Sequence, residues 1–495
     1  MRSTFHGLEV SKRGLFAQQS ALNTTGHNIA NANTEGYSRQ RVNMQTTTGL
    51  PYVGMFASIE PGLLGTGVQA DSIQRLREEF LDIQYRNEYK RQGYWDGRLE
   101  TLEKLEGIMN EPSDTGLQKV MDQMWQGWQD LAKDPTDTSA RAVVRERSKA
   151  VADTFNTTYK HLQEVQTDLD NVVNVKAMEI NSLGQQIASL NFQISNVVPH
   201  GYQPNDLYDQ RDVLLDKLSK LVDIKATQTT NGMVNVTIEG RDFVTGISSQ
   251  AFAAQQNAVT GVSDLTLGGA AFTPTTGYMA GTLESRDQIV PNILKRLDVL
   301  AVNLTKEIND IHRTGVSLAD INNGTTQDLP FFVDTDALAA NAATKDYPTS
   351  ALKITVNPEI TESLDAIAAA KAEATSTPVG NNETALAIAS IKFKTIAAGT
   401  GPNDLAESST LDNYYRYTIS QLGVDAQEAT RNQANSEMLV GTVDNQRQSV
   451  SGVSIDDEMA EMVKYQHAYN ASARVMTSMD EILDKVINGM GRVGL

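Results

Sequence analysis

Two long apolar repeats, one at each end of the chain, constrain this sequence more than any other feature. At the N-terminus Leu8, Leu15, Leu22 and Ile29 recur every seven residues, with Phe5 beside Leu8. That is a narrow stripe on one helix. Asn28, Asn31, Asn33 and Gly36 cluster where it should stop, since Asn and Gly tolerate the left-handed conformation that closes helices. At the C-terminus Ile455, Met459, Met462, Gln466, Tyr469, Ala473, Met476, Asp480, Leu483, Ile487 and Met490 alternate steps of four and three. This is a coiled-coil seam, preceded by Ser454 as a helix cap. Four methionines favour adaptable packing, and Gln466 and Asp480 interrupt the seam.

The two ends differ in charge. Residues 1–41 carry five bases, Arg2 among them, against Glu9 and Glu35, whereas residues 454–495 carry seven acids against four bases. Opposite signs fit termini that pair with each other, and equally two ordinary amphipathic helices on one core.

Between the ends, Ser139 to Val198 keeps a three–four rhythm through Leu162, Leu169, Val173, Ile180, Ile187 and Ile194, and Pro199, Gly201 and Pro204 stop it. The spacing predicts a rod on the order of 90 Å. Further helices are expected over Ile73–Asn110, Thr115–Lys133, Leu207–Leu221, Leu283–His312 and Leu411–Val450, with Trp125 and Trp128 in a core. Ile224–Phe272 alternates as strands do, Gly315–Pro358 mixes a strand-like LKITV with loop composition, and Pro378–Asn382 and Gly399–Asn403 within 371–410 read as linkers or exposed turns. The expected architecture is mainly α with β-rich inserted domains, an α+β multidomain chain. Discontinuous terminal coiled-coil helices would form an inner core over 1–60 and 450–495. A long helical stalk would comprise 61–222, 280–315 and 405–449. A β-rich module would occupy 223–279 and a variable outer module 316–404.

Chemistry is hard to find. Cysteine is absent, which excludes thiol nucleophiles, thiolate zinc sites and iron–sulfur clusters. No two of the six histidines lie three to five residues apart, and no GxSxG or Walker-type loop occurs. Pro61–Gly67 is glycine-rich but lacks a strand–loop–helix context and reads as a bent linker. Asp334 and Asp336 lack the glycine and distal glutamate of a calcium loop. Asp209–Asp212 (DQRD) and Glu284–Asp287 (ESRD) read as surface ion pairs. No enzyme, metal or cofactor is expected. A net charge of -19 argues against nucleic acid, and no apolar stretch approaches the ~18 residues of a membrane span. The N-terminus has no apolar core or cleavage site of a secretory signal, so export, if it occurs, needs another route.

Ala21–Gln40 (ALNTTGHNIANANTEGYSRQ) is similar to the N-terminal signature of flagellar rod, hook and hook-associated proteins, and Ser451–Ile487 resembles the matching C-terminal signature. Asp206–Ile224, Gly281–Gly315 and Thr418–Ala429 narrow the resemblance to the hook-associated protein 1 family, the first hook–filament junction proteins. It fades over Gln250–Thr276 and Gly315–Asn403. The residues carrying it are Asn28, Asn31, Asn33, Gly36 and Tyr37 with Asp209, Arg211 and Asp212. The resemblance implies an extracellular structural subunit that lets the filament grow on the hook, exported by the flagellar type III apparatus without a cleaved signal peptide. Its partners would be copies of itself in a ring, hook protein, the second hook–filament junction protein, and an export chaperone on the C-terminal helix. The expected assembly surface is Phe5, Leu8, Leu15, Leu22 and Ile29 with Met459, Met462, Tyr469, Met476, Leu483 and Ile487. Thin stripes bury too little to order a lone helix, so both ends are expected to fold on assembly. The alternatives are another axial subunit (hook or distal rod) and a secreted coiled-coil adhesin or effector.

Overall fold

A computed structural model of the chain describes residues 5–49, 65–339, 347–373 and 377–489. Arg2, Met490, the boundary at residue 60 and the first part of the Pro61–Gly67 stretch lie outside these. The fold is mainly α with β-rich insertions. Its spine is the helix expected from the three–four rhythm, which runs over Thr138–Val197 for 60 residues, with Asp137 accepting the Ser139 amide at its start.

The elements before it are α1 (His6–Ala30), the antiparallel pair β1 (Gln40–Thr46) and β2 (Val68–Arg75), α2 (Glu79–Met109) and α3 (Leu117–Lys133). The spine is α4. After it come α5 (Asn205–Leu221) and a meander of β3 (Ile224–Gln228), β4 (Val234–Ile238), β5 (Arg241–Thr245) and β6 (Ser248–Ser249). A second sheet holds β7 (Phe252–Gln256), β8 (Ser263–Leu267) and β9 (Ala270–Ala271). Then α6 (Gly277–Glu284) passes through a π-helical segment, Ser285–Ile289, into α7 (Val290–His312).

The next stretch has two small antiparallel pairs. β10 (Gly315–Ser317) pairs with β13 (Ala368–Lys371), and β11 (Phe332–Asp334) pairs with β12 (Ile354–Val356). Short helices α8 (Leu318–Asn323), α9 (Thr335–Ala339), α10 (Pro358–Glu362) and α11 (Glu383–Ser390) lie among them. Two long helices close the chain, α12 (Leu411–Ser451) and α13 (Ile455–Gly489).

Two apolar cores share the spine. The first half of α4 packs with α3, α7, the start of α12 and the buried residues of 329–405, where Trp128 meets the edge of Phe331 at 5.3 Å. The second half, from Val173 to Ala188, packs with α5, β3–β8 and α6. Trp125 and Trp128 are core, as expected.

Two expectations need correction. Ile73–Arg75 is strand, and helix starts only at Glu79, because Val42 and Ile73 face each other across a hairpin whose register shifts at Asn43/Met44. That bulge spoils the alternation by which strands are read. The DQRD and ESRD segments are interior: Asp209, Arg211, Ser285 and Arg286 are all buried.

Candidate assembly interface

The sequences of α1 and α13 contain a second heptad beside the expected one. Gly7, Gly14, Ala21 and Asn28 precede Leu8, Leu15, Leu22 and Ile29 by one residue each. This small-residue stripe is the one that meets α13. A Cβ on Gly7 would come within 2.9 Å of Met479 Cε, and one on Gly14 within 3.1 Å of Ser472 Oγ. Asn28 reaches Glu458. The partner positions fall by seven or a multiple of seven as the α1 positions rise, so the helices run antiparallel in fixed register. Small residues let the backbones approach closely. The opposite charges of the two ends meet at Arg39 and Glu458, whereas Lys12 and Arg13 pair with Glu9 on their own helix.

A turn of one residue on a helix is ~100°, so the expected seams are rotated away from this contact. Leu8, Leu15, Leu22 and Ile29 are half-buried, and Phe5 is exposed. On α13, Met459 and Ile487 are 56% and 64% exposed, Tyr469 is also exposed, and Met462 and Met476 are half-buried. Leu483 alone among these residues is buried. Ile455, Val463, Val475, Ile482 and Val486 add to the apolar surface left open.

Where the pair of helices joins the body, the signature residues converge. α1 stops at Ala30, and Asn31 closes it on the ordinary side (φ −103°) with its side-chain amide donating to the His27 carbonyl at 3.0 Å. The left-handed residue is Gly36 (φ 75°), where a Cβ would fall 2.0 Å from Val213 Cγ2. Asn33 is exposed and stands apart. Asn28 is buried and uses its whole amide. Nδ2 donates to the Gln40 carbonyl and to Glu458 Oε2, both at 2.9 Å. Oδ1 accepts from the Tyr37 hydroxyl at 2.8 Å and the Gln40 amide at 3.0 Å. Glu458, 2% exposed, also accepts from Arg39 Nε at 2.6 Å. One asparagine therefore ties the end of α1, the start of β1 and the first turn of α13. Burial, with Asp206, Asp209 and Glu458 nearby, pushes the Tyr37 hydroxyl well above its ordinary range, so it stays a donor.

Beneath this clamp lies a lattice of arginines and aspartates. Asp209, Asp212 and Asp216 occupy one face of α5. Asp209 accepts the Ser38 amide at 3.0 Å and Arg75 at 2.8 Å. Asp212 meets Arg75 at 2.9 Å, Arg86 at 3.5 Å and Arg77 at 3.6 Å. Asp216 holds Arg86 at 2.7 Å and Arg447 of α12 at 2.6 Å, and Arg77 grips Asp82 with two bonds of 2.6 and 2.9 Å. Burial works to raise the Asp212 carboxyl, but Arg77, Arg75 and Arg86 outweigh it and hold it low. At Asp209 burial wins over Arg75 and Ser38, and the carboxyl is raised. Such pairs fix orientation more than they add stability, but removing one partner costs about 3–5 kcal/mol.

Sequence reading missed Arg39, Arg75, Arg77, Arg86, Arg447 and Glu458. A signal existed in the i, i+3, i+7 acidic face of α5, which needs bases opposite once it is buried. Among the described residues no three His, Asp or Glu side chains are placed to hold a metal ion. No helix there is long and apolar enough to cross a membrane. The lattice and clamp are built for holding, with their carboxylates Asp82, Asp209, Asp212, Asp216 and Glu458 each engaged by an arginine.

Known proteins resemble this chain in sequence and in fold. Residues 102–332 match the flagellar hook-associated protein FlgK helical domain, 445–489 the flagellar basal body rod FlgEFG protein C-terminal family, and 8–37 the flagella basal body rod protein family. A flagellar hook-associated protein 1 of Bacillus subtilis is 37% identical over 525 aligned residues, 99% of each chain. That of Escherichia coli is 26% identical over 96% of this chain and 98% of its own. The solved structure of the flagellar hook junction protein FlgK from Burkholderia pseudomallei has the same fold, with a TM-score of 0.61 at 15% identity over 74% of this chain and all of that one. The sequence match runs over the whole length, and the chain belongs to the flagellar hook-associated protein 1 family.

Proposed function

We propose that this chain is a non-enzymatic structural subunit of the hook–filament junction that assembles through its terminal helices into a ring on which the filament grows. The observation that carries the reading is the rotation of the two leucine- and methionine-bearing seams away from the α1–α13 contact. Apolar side chains such as Met459 and Ile487, left exposed along a whole helix, need a partner outside the chain. Copies of the same chain are the first such partner, with hook protein on one side and the second junction protein on the other. Before export the same open face of α13 suits a chaperone, and export would follow the flagellar type III route to the outside of the cell. On this reading residues 1–60 and 450–495 form the inner layer, 61–222, 280–315 and 405–449 the stalk, and 223–279 and 316–404 the outer modules.

The test is electron microscopy of cells lacking the gene, with flagellin measured in the medium. Bare hooks and shed flagellin are expected. Missing hooks would move the chain down to rod or hook, and normal filaments would overturn the axial reading.

A further inference from the structure

A cleft of about 900 Å³ opens between α2, α5 and the β3–β4 hairpin, lined by Arg75, Arg77, Arg86, Arg211, Tyr202 and Tyr208 among others. Three of its arginines are engaged by the aspartate lattice. Arg211 is not. It is 4% exposed, yet it makes no ion pair among the described residues. Both of its hydrogen bonds leave from Nη1, to Asn191 Oδ1 at 3.2 Å and the Gly232 carbonyl at 2.7 Å. Its Nε is buried with no partner.

Arg141 is the useful contrast. It too is buried without a carboxylate, but its Nε donates to the Pro135 carbonyl at 2.8 Å and its Nη1 to those of Leu364 and Ile367 at 3.1 and 2.8 Å. That arginine is satisfied by the fold, and Arg211 is left with the edge that guanidinium uses for two-pronged bonding. Arg211 and Arg75 both lie against the Tyr208 ring, at 5.1 and 5.0 Å. Burial and the like charges of Arg75 and Arg86 all disfavour the Arg211 cation, with Asp212 working the other way. Asp212 already answers to three other arginines.

We propose that this cleft is an oxyanion site in which the free edge of Arg211 takes a carboxylate or phosphate group. Tyr202, one of the lining residues, is exposed, and the volume of the cleft suits a free anion or an acidic side chain of a second copy of the chain.

Calorimetric titration of the full-length monomer with inorganic phosphate and with acetate, against chloride at equal ionic strength, tests it. Binding by the wild type is expected, weakened at least about ten-fold in Arg211→Gln, the loss of one charged hydrogen-bonding edge. Tyr202→Glu, which sets a competing carboxylate in the lining and leaves the core intact, is expected to weaken it too. This keeps the test alive if the Arg211 variant misfolds. No binding to the wild type, or unchanged binding in the variants, overturns the proposal. Repeating the titration on assembled protein identifies the source. Phosphate excluded by assembly means a neighbour's carboxylate fills the site, and phosphate still bound means a free anion does. The monomer titration stands or falls independently of the junction reading.

Discussion

His312 gives the sharpest stability prediction. It ends α7 inside the larger core, its ring edge-on to Phe331 at 5.3 Å. Nδ1 bonds the Leu329 carbonyl at 2.7 Å, and the Ala368 amide donates to Nε2 at 2.9 Å. Nε2 must therefore carry a lone pair, so the native imidazole is neutral. Burial pushes its pKa down to about 4 from 6.5, with the Leu329 carbonyl and Asp320 opposing weakly and Arg141 assisting. The unfolded chain binds a proton below pH 6.5 that the native state refuses until about pH 4. The stability due to this group is therefore whole above the unfolded value and is lost as pH falls through that window. Between pH 7 and pH 5 the loss is about 2 kcal/mol. Urea titrations followed by tryptophan fluorescence report it, since Trp128 sits on the same Phe331. His312→Asn should be less stable at pH 7 and nearly flat between pH 7 and pH 5. A wild type that keeps its stability down to pH 5, or a variant that loses as much, would refute the reasoning.

The clamp and seams make further predictions. Asn28→Ala orphans the buried Gln40 amide and one oxygen of Glu458, and should cost about 2–4 kcal/mol at the neck, read as faster hydrogen exchange at Gln40 and in the first turn of α13. Gly14→Leu drives a side chain into Ser472 and should separate α1 from α13, seen as lengthened distances between spin labels on the two helices in assembled protein. Leu22→Asp should abolish junctions on cells while the monomer stays soluble, because Leu22 borders the contact without filling it. Asp170→Asn should weaken the hold on buried Arg286, a 2.6 Å pair, and lower the melting midpoint of the β7–β9 module by loosening the Ser263 end of β8.

The long helices were legible because burial repeats along them, from Leu162 to Ile194 in α4 and through the tryptophans of α3. What hid was whatever depends on a partner far along the chain. The β1–β2 hairpin has a bulge and few apolar residues, so neither period shows. DQRD looks like a solvated pair until Arg75, Arg77 and Arg86 are known to surround it. At the termini the heptads were visible, but only their apolar face stood out. Large apolar side chains drew attention to Leu8 and Leu15, whereas the intramolecular contact belongs to Gly7 and Gly14. Hydrophobic pattern finds the face that wants burial and is silent on which faces close tolerances bring together first.

The antiparallel pairing of α1 and α13 has a degeneracy. Gly7 and Gly14 repeat every seven residues, and so do Met479 and Ser472 opposite them, so the pair could slide by one repeat and find similar neighbours. A sliding seam of this kind would let the tip of the subunit lengthen or shorten by about 10 Å. The buried Asn28–Glu458 contact occurs at a single place along the repeat, and a slipped helix would leave that carboxylate unpaired in the interior. One polar pair thus acts as the detent of a ratchet, setting the length of the subunit's tip where the apolar repeat alone would leave it undecided.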